Sequence, residues 1–293
     1  MASSLKNAVM SFSHIFTPIK PTRLIALLCV ALVSLAFLYF CTRSGDSSSR
    51  SERRFRFIFC NDVHYRGAVD SAMLKKVFDE WDNPNTIGVG GWEFAVLAGD
   101  LTDNGTVDEL ASLKKQLDKG IRKPYYPLIG NHDITGPGDE GKQNFASVFG
   151  EAREDHFFIH KNVGMLFLDL SNGPKAQVTV KVSTKLWLKK TLSRIPRSMP
   201  LLVFTHFPMH PDSPRFAVDN SVELFRMLDD YNVLAYFSGH FHGYWCGYRY
   251  GIPFFTNFRL LHNYDPTNNY PGSSYLVVDV YKSGVGVSLK PTM

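Results

Sequence analysis

Nine residues of this chain carry side chains suited to metal or proton chemistry and stand in five short groups. In chain order the groups are Asp62-Val63-His64, Gly99-Asp100, Gly130-Asn131-His132-Asp133, His206, and Gly239-His240-Phe241-His242. Carboxylate and amide oxygens with imidazole nitrogens suit borderline or hard first-row ions rather than thiophilic ones. Seven of the donors (Asp62, His64, Asp100, Asn131, His206, His240 and His242) are more than one ion needs. If Asp100 is shared, each of two ions receives four protein ligands and keeps positions open for water and substrate. Paired cations about 3.5–4 Å apart are a common device for hydrolysing phosphoesters. Any one group alone reads as a turn or a helix cap, because Gly, Asn and Asp are the usual turn formers. The joint occurrence favours a shared centre.

What must position these residues is legible in the runs before them. The segments "FRFIFC" (55–60), "FAVLA" (94–98), "YYPLI" (125–129), "LLVFT" (201–205) and "VLAYF" (233–237) are short, apolar and bounded by turn formers. They read as strands, several buried on both faces, as does "VGMLFLDL" (163–170). Helical stretches are expected near 69–82, 106–119, 184–194 and 219–231. In the second, Thr106 and Glu109 have capping-box spacing, acids occupy the first turn, and Gly120 closes it. The end of the chain reads as a hairpin turning at Lys282-Ser283-Gly284. Strands alternating with helices predict one α/β domain over residues 55–293. In such sheets ligands bind beyond the carboxyl ends of the strands, where all five groups fall.

Taken together, D-x-H, G-D, G-N-H-D, H and G-H-x-H resemble the calcineurin-like metallophosphoesterase superfamily across the whole globular region. The stretches "QNFASVFGE", "LFLDL" and "KLWLKKTL" extend the likeness to the branch that includes bacterial cyclic-nucleotide phosphodiesterases. The resemblance implies two mixed β-sheets packed as a sandwich and flanked by helices. It implies a metal-dependent hydrolase acting on phosphomono- or phosphodiesters, with a hydroxide shared between two cations (Mn, Fe, Zn or a mixture). Asp62, His64 and His242 would hold one cation, Asn131, His206 and His240 the other, and Asp100 would join them. His132 would protonate the leaving oxygen or stabilise phosphoryl charge. Asp103 would hydrogen-bond His132 and raise its pKa, and Asp133 would brace the loop. Two departures narrow the expectation. Asp103 stands where purple acid phosphatases place an iron-binding tyrosine. The run "GDLTDNG" lacks the arginine of the Ser/Thr protein phosphatases.

Residues 24–41, "LIALLCVALVSLAFLYFC", carry no charge and lie between Arg23 and Arg43. As a helix they would span roughly 27 Å, close to a bilayer core, and exceed the usual apolar stretch of a signal peptide. The expected organisation is a short tail (1–23), a single-pass transmembrane anchor (24–41), a Ser- and Arg-rich stalk (42–54) and the catalytic domain (55–293). The flanking cations alone would place the domain in the cytosol, and a type II orientation with the domain on the other side stays open.

The net charge of +5 is modest and clusters around this segment, which suggests anionic lipid head groups more than nucleic acid. Cys60 and Cys246 lack metal-like spacing and read as buried thiols, with a mutual disulfide as the alternative. The sequon Asn104-Gly105-Thr106 falls in the loop after Asp100, where Thr106 has a helix to cap. Expected substrates are a nucleotide, a sugar phosphate or a lipid head group, read by the loops 65–67, 135–142, 207–220 and 244–264. Arg66, His210, Arg215 and Arg259 are the candidates for contacting a second phosphate. A non-catalytic scaffold with the same fold is the competing expectation; complete ligand and His132 positions argue against it.

Overall fold

The computed structural model describes residues 52–135, 140–150, 155–261 and 272–292. The expected tail, the apolar segment 24–41 and most of the stalk lie outside the described residues. Among the described residues, no helix is long and apolar enough to cross a membrane.

The chain runs β1 (Phe55–Cys60), α1 (Ala68–Trp81), α2 (Pro84–Ile87), β2 (Phe94–Ala98), α3 (Val107–Gly120), β3 (Tyr125–Leu128), α4 (Gln143–Phe149), β4 (His156–His160), β5 (Val163–Leu168), α5 (Val182–Leu192), β6 (Leu201–Thr205), α6 (Ser221–Leu228), β7 (Val233–Ser238), β8 (Trp245–Arg249), β9 (Ile252–Thr256), β10 (Ser274–Val280) and β11 (Val285–Pro291). These strands form two mixed sheets, ordered β11-β10-β1-β2-β3 and β4-β5-β6-β7-β9-β8. In the first, β1, β2 and β3 are parallel and β10 is antiparallel to β1. In the second, β5, β6, β7 and β9 are parallel and the edge strands β4 and β8 are antiparallel. The parallel pairs β1–β2, β2–β3, β5–β6 and β6–β7 are joined by helical crossovers, whereas β9 comes to lie parallel to β7 through the intervening strand β8.

Phenylalanines fill the space between the sheets. Phe57 stacks on Phe94 at 5.3 Å, Phe204 on Phe167 at 4.8 Å and on Phe237 at 5.5 Å, and Phe57 meets Phe204 edge-on at 5.7 Å. All are buried. Each such ring contributes on the order of 2–3 kcal/mol of burial before chain entropy is subtracted. The outer face of the first sheet packs against α1, α3 and α4, and that of the second against α5 and α6.

Several expectations need correction. The segment 244–264 is not one long loop, because β8 and β9 form a hairpin within it. The strand β4 and the helix α4 were not anticipated either. Thr106 caps α3, accepting from the Glu109 amide at 3.3 Å. The reciprocal half of the box is displaced: Glu109 accepts instead from the Asn104 amide (3.0 Å) and side chain (2.7 Å). Cys60 and Cys246 are separate buried thiols, so the disulfide alternative fails. Burial pushes the Cys60 thiol well above its ordinary pKa.

Candidate metal centre

The residues following β1, β2 and β3 of the first sheet and β6 and β7 of the second meet beyond the carboxyl ends of these strands. The strand ends are tied crosswise by backbone bonds. The Asp62 amide donates to the Gly99 carbonyl (3.0 Å), that of His64 to Asp100 (3.0 Å) and that of Gly239 to His206 (2.8 Å). The His240 amide donates to the Asp62 carboxylate at 2.9 Å. This crowding explains two motif glycines. A Cβ at Gly130 would lie 2.2 Å from the Asp100 amide nitrogen, and one at Gly239 would lie 2.7 Å from an Asp62 carboxylate oxygen. Asp62, His64, Asp100, His240 and His242 all have positive φ, from 48° to 66°. For non-glycine residues that backbone region is sparsely populated, costs on the order of 1–3 kcal/mol per residue and concentrates at functional sites.

Hydrogen bonds set the histidine tautomers. A carboxylate or carbonyl oxygen can only accept, so the ring nitrogen facing it carries the proton. His64 Nδ1 donates to Asp103 Oδ1 at 2.7 Å, and His206 Nδ1 donates to the Ala98 carbonyl at 2.8 Å. Both therefore aim Nε2 at the centre. Asp100 Oδ1 is occupied by the His132 amide at 2.9 Å. Its Oδ2 lies 3.3 Å from His206 Nε2 and 3.7 Å from His64 Nε2. Three clusters have ligand atoms within 4.8 Å of one another: His64, Asp103 and His132 at the rim, and two donor sets at the centre, Asp62, His64, Asp100 and His242 in one and Asp100, His206 and His240 in the other. Asp100 belongs to both.

The donor chemistry fits cations. His64 Nε2 and His242 Nε2 face each other at 3.1 Å, an approach that needs a proton or a cation between them. Asn131 Oδ1 is buried without a hydrogen-bond partner, and His206 Nε2 has only the Asp100 carboxylate, at 3.3 Å. A buried polar atom left without a partner is costly unless something at the centre satisfies it.

The electrostatics show how much charge is concentrated here. Burial raises the Asp62 and Asp100 carboxyls, but His242 and His206 outweigh it and hold both below the usual carboxylate range. Burial opposes a charge on His206, yet Asp100 and Asp62 lift it to about 9. Burial and the His206 charge depress His240 to about 4. Asp133 is pushed up to about 7, by burial and then by the Asp100 charge. It braces the loop as expected, accepting from the amides of Gly130 (2.9 Å), Leu101 (3.1 Å) and Thr102 (2.9 Å).

One expected bond is made differently. The Asp103 carboxylate holds His64, not His132; His132 Nδ1 donates to the Asp103 backbone carbonyl at 3.0 Å. The carboxylate turns inward because the buried His64 N–H needs an acceptor, while the exposed His132 is served by main chain. The proton on His132 Nδ1 leaves Nε2 as its reactive atom. Asn61 was missed by sequence reasoning. Its side chain donates to Asp62 Oδ2, to the Asn257 carbonyl at 3.1 Å and to that of Phe258 at 3.3 Å. A lone Asn after a strand looks like turn chemistry, so no local signal marks this role.

The sequence profile of the calcineurin-like phosphoesterases matches residues 55–244. The chain belongs to this family. Within the calcineurin-like phosphoesterases it is similar to a probable glycerophosphodiester phosphodiesterase (GpdQ) of Arcobacter nitrofigilis. They share 28% identity over 51% of this chain and 56% of that protein. A probable cyclic nucleotide phosphodiesterase of Ruthia magnifica is 25% identical over 62% of this chain and 74% of its own. The chain thus spans little more than half the length of the first of these relatives. Among solved structures, a dimetal phosphatase from Danio rerio superposes with a TM-score of 0.65, covering 83% of this chain and 98% of that one at 14% identity, which shows the shared fold.

Proposed function

We propose that the domain is a metal-dependent phosphoester hydrolase with a two-cation centre. Asp62, His64 and His242 would hold one cation, Asn131, His206 and His240 the other, and Asp100 would contact both. The observation that carries this reading is Asp100, which belongs to both donor sets and directs Oδ2 toward His206 Nε2 (3.3 Å) and His64 Nε2 (3.7 Å) while its other oxygen is spoken for. Cations bound there would neutralise phosphoryl oxygens and acidify a water. The remaining work falls to the chain. His132, exposed at the rim with its Nδ1 proton committed, would deliver a proton from Nε2 to the leaving oxygen. Asp103 would orient His64 through its carboxylate and His132 through its carbonyl, and is a positioning residue. The phosphodiesterase names of two relatives support phosphodiesters as substrates alongside monoesters.

The test is hydrolysis of p-nitrophenyl phosphate and bis-p-nitrophenyl phosphate by the full chain with added Mn²⁺. Turnover lost in Asp100→Asn and in His132→Ala is the expected result. Absence of turnover with Mn²⁺, Zn²⁺ and Fe²⁺ alike would refute it and return the scaffold alternative. We further propose that residues 24–41 anchor the protein in a membrane; extraction by alkaline carbonate rather than by detergent would overturn that.

A further inference from the structure

The four side chains that the sequence offers for a second substrate anion are not equivalent in the fold. Both His210 ring nitrogens are committed: Nε2 faces the Tyr248 carbonyl at 3.2 Å and Nδ1 accepts from the Asp212 amide at 3.1 Å. The residue is buried against Trp245 and Phe254 and fastens the 207–220 loop to β8. Arg66 shares its charge with two carboxylates, Asp70 and Asp103, each 3.7 Å from Nε. Arg215 is exposed at a turn with positive φ, and nothing directs it to the centre.

Arg259 differs on each count. Its segment, 257–260, is stitched to the residue before Asp62. Asn61 donates its side-chain amide to the Asn257 and Phe258 carbonyls, and the Leu260 amide donates to the Asn61 carbonyl at 3.0 Å. The Arg259 carbonyl accepts from Ser274 at 3.0 Å, which fixes the segment from the other side. Its guanidinium Nε is buried with no hydrogen-bond partner, and among the described residues it makes no ion pair. A partly buried guanidinium without an anion beside it is costly, and the cost is recovered when an oxyanion arrives.

We infer that Arg259, held beside Asn61 and so beside the Asp62 end of the centre, is a specificity-determining residue that binds a second anionic group of the substrate. The preferred substrate class is then a phosphoester carrying another phosphoryl group or a carboxylate beyond the scissile phosphate. This deepens the phosphoesterase reading and rests on it.

The test compares the full chain with Arg259→Gln and Arg259→Lys. Two p-nitrophenyl phosphodiesters of thymidine serve as probes, one with a free 3′ hydroxyl and one with a 3′ phosphate. A charge-assisted contact of this kind corresponds to about a 10- to 100-fold change in binding. Arg259→Gln should therefore raise KM for the 3′-phosphorylated probe at least about 10-fold more than for the other. kcat should change little, and Arg259→Lys should recover part of the difference. Equal effects on the two probes would overturn the inference. A carboxylate in place of the 3′ phosphate separates the two kinds of anion. If the wild type turns over neither these probes nor p-nitrophenyl phosphate and bis-p-nitrophenyl phosphate, the phosphoesterase reading has failed. Calorimetric titration with inorganic pyrophosphate then decides the Arg259 role by itself. Binding weakened about 10-fold or more by Arg259→Gln supports the role, and unchanged or absent binding refutes it.

Discussion

Substituting Asp103 separates what its carboxylate does from what its backbone does. The carboxylate accepts from the 2%-exposed His64 at 2.7 Å, whereas His132 leans on the main-chain carbonyl, which no side-chain substitution removes. In the Asp103→Asn variant the amide oxygen can still accept from His64 Nδ1, so the ring keeps its orientation and loses only charge assistance. A neutral bond is about half as strong as a charge-assisted one, a loss of about 1–1.5 kcal/mol, or about 10-fold in affinity for the ion that His64 would hold. Asp103→Ala leaves a buried N–H without an acceptor and loses ring orientation as well, which places it near the 100-fold end of the range for outer-shell ligands. The assay is calorimetric titration of metal-free protein with Mn²⁺ for wild type and both variants, beside pH–rate profiles. Wild-type, 10-fold and 100-fold dissociation constants in that order, with the limb assigned to His132 unmoved, are expected. Unchanged Mn²⁺ affinity together with a displaced limb would mean that the carboxylate serves His132 after all.

Asn131→Ala removes a buried oxygen that has no partner in the metal-free chain, so its stability should change by less than about 1 kcal/mol while Mn²⁺ affinity falls more than about 100-fold; parallel urea melts and titrations would expose a purely structural role if both fell together. Gly130→Ala forces a methyl against the Asp100 amide, with a loss of about 2–4 kcal/mol expected in the urea midpoint even without metal; a wild-type midpoint would show that the strand ends can part. Asp155 is raised to about 6, chiefly by burial. The folded state then holds a proton that the unfolded chain has already released, so this contribution to stability is complete below about pH 4 and is lost as pH rises through about 6. Asp155→Asn should flatten that slope and stabilise the protein at pH 7.5 by about 2 kcal/mol; urea melts at pH 4.5 and 7.5 that keep the wild-type difference would refute it.

The strands that carry donors were legible because burial on both faces makes them unbroken apolar runs, and because each ends in a polar group. The C-terminal hairpin, β10–β11, was legible from its Lys282-Ser283-Gly284 turn, but the β4–β5 and β8–β9 hairpins were not. The β4–β5 turn is Lys161-Asn162 and the β8–β9 turn is Tyr250-Gly251. All four residues have positive φ, between 47° and 79°, the mark of a tight two-residue hairpin turn. Lysine and tyrosine are poor signals for that conformation, so each hairpin looked like a strand start or a loop. The donor set was visible as residue types in order. Which atom of Asp103 met which histidine was not, because it depends on the depth of His64 relative to His132. That depth is a property of how the strand ends stack and cannot be seen in any one of them.

The left-handed backbone at Asp62, His64, Asp100, His240 and His242 bears on whether such a centre can be moved. None of these short motifs would adopt its shape in isolation, since each is bent into place by amides and carbonyls of a neighbouring strand end. Grafting D-x-H or G-H-x-H onto another α/β scaffold would transfer the names of the donors without their aim. Only the whole rim, with all its mutual tethers, is a transplantable unit.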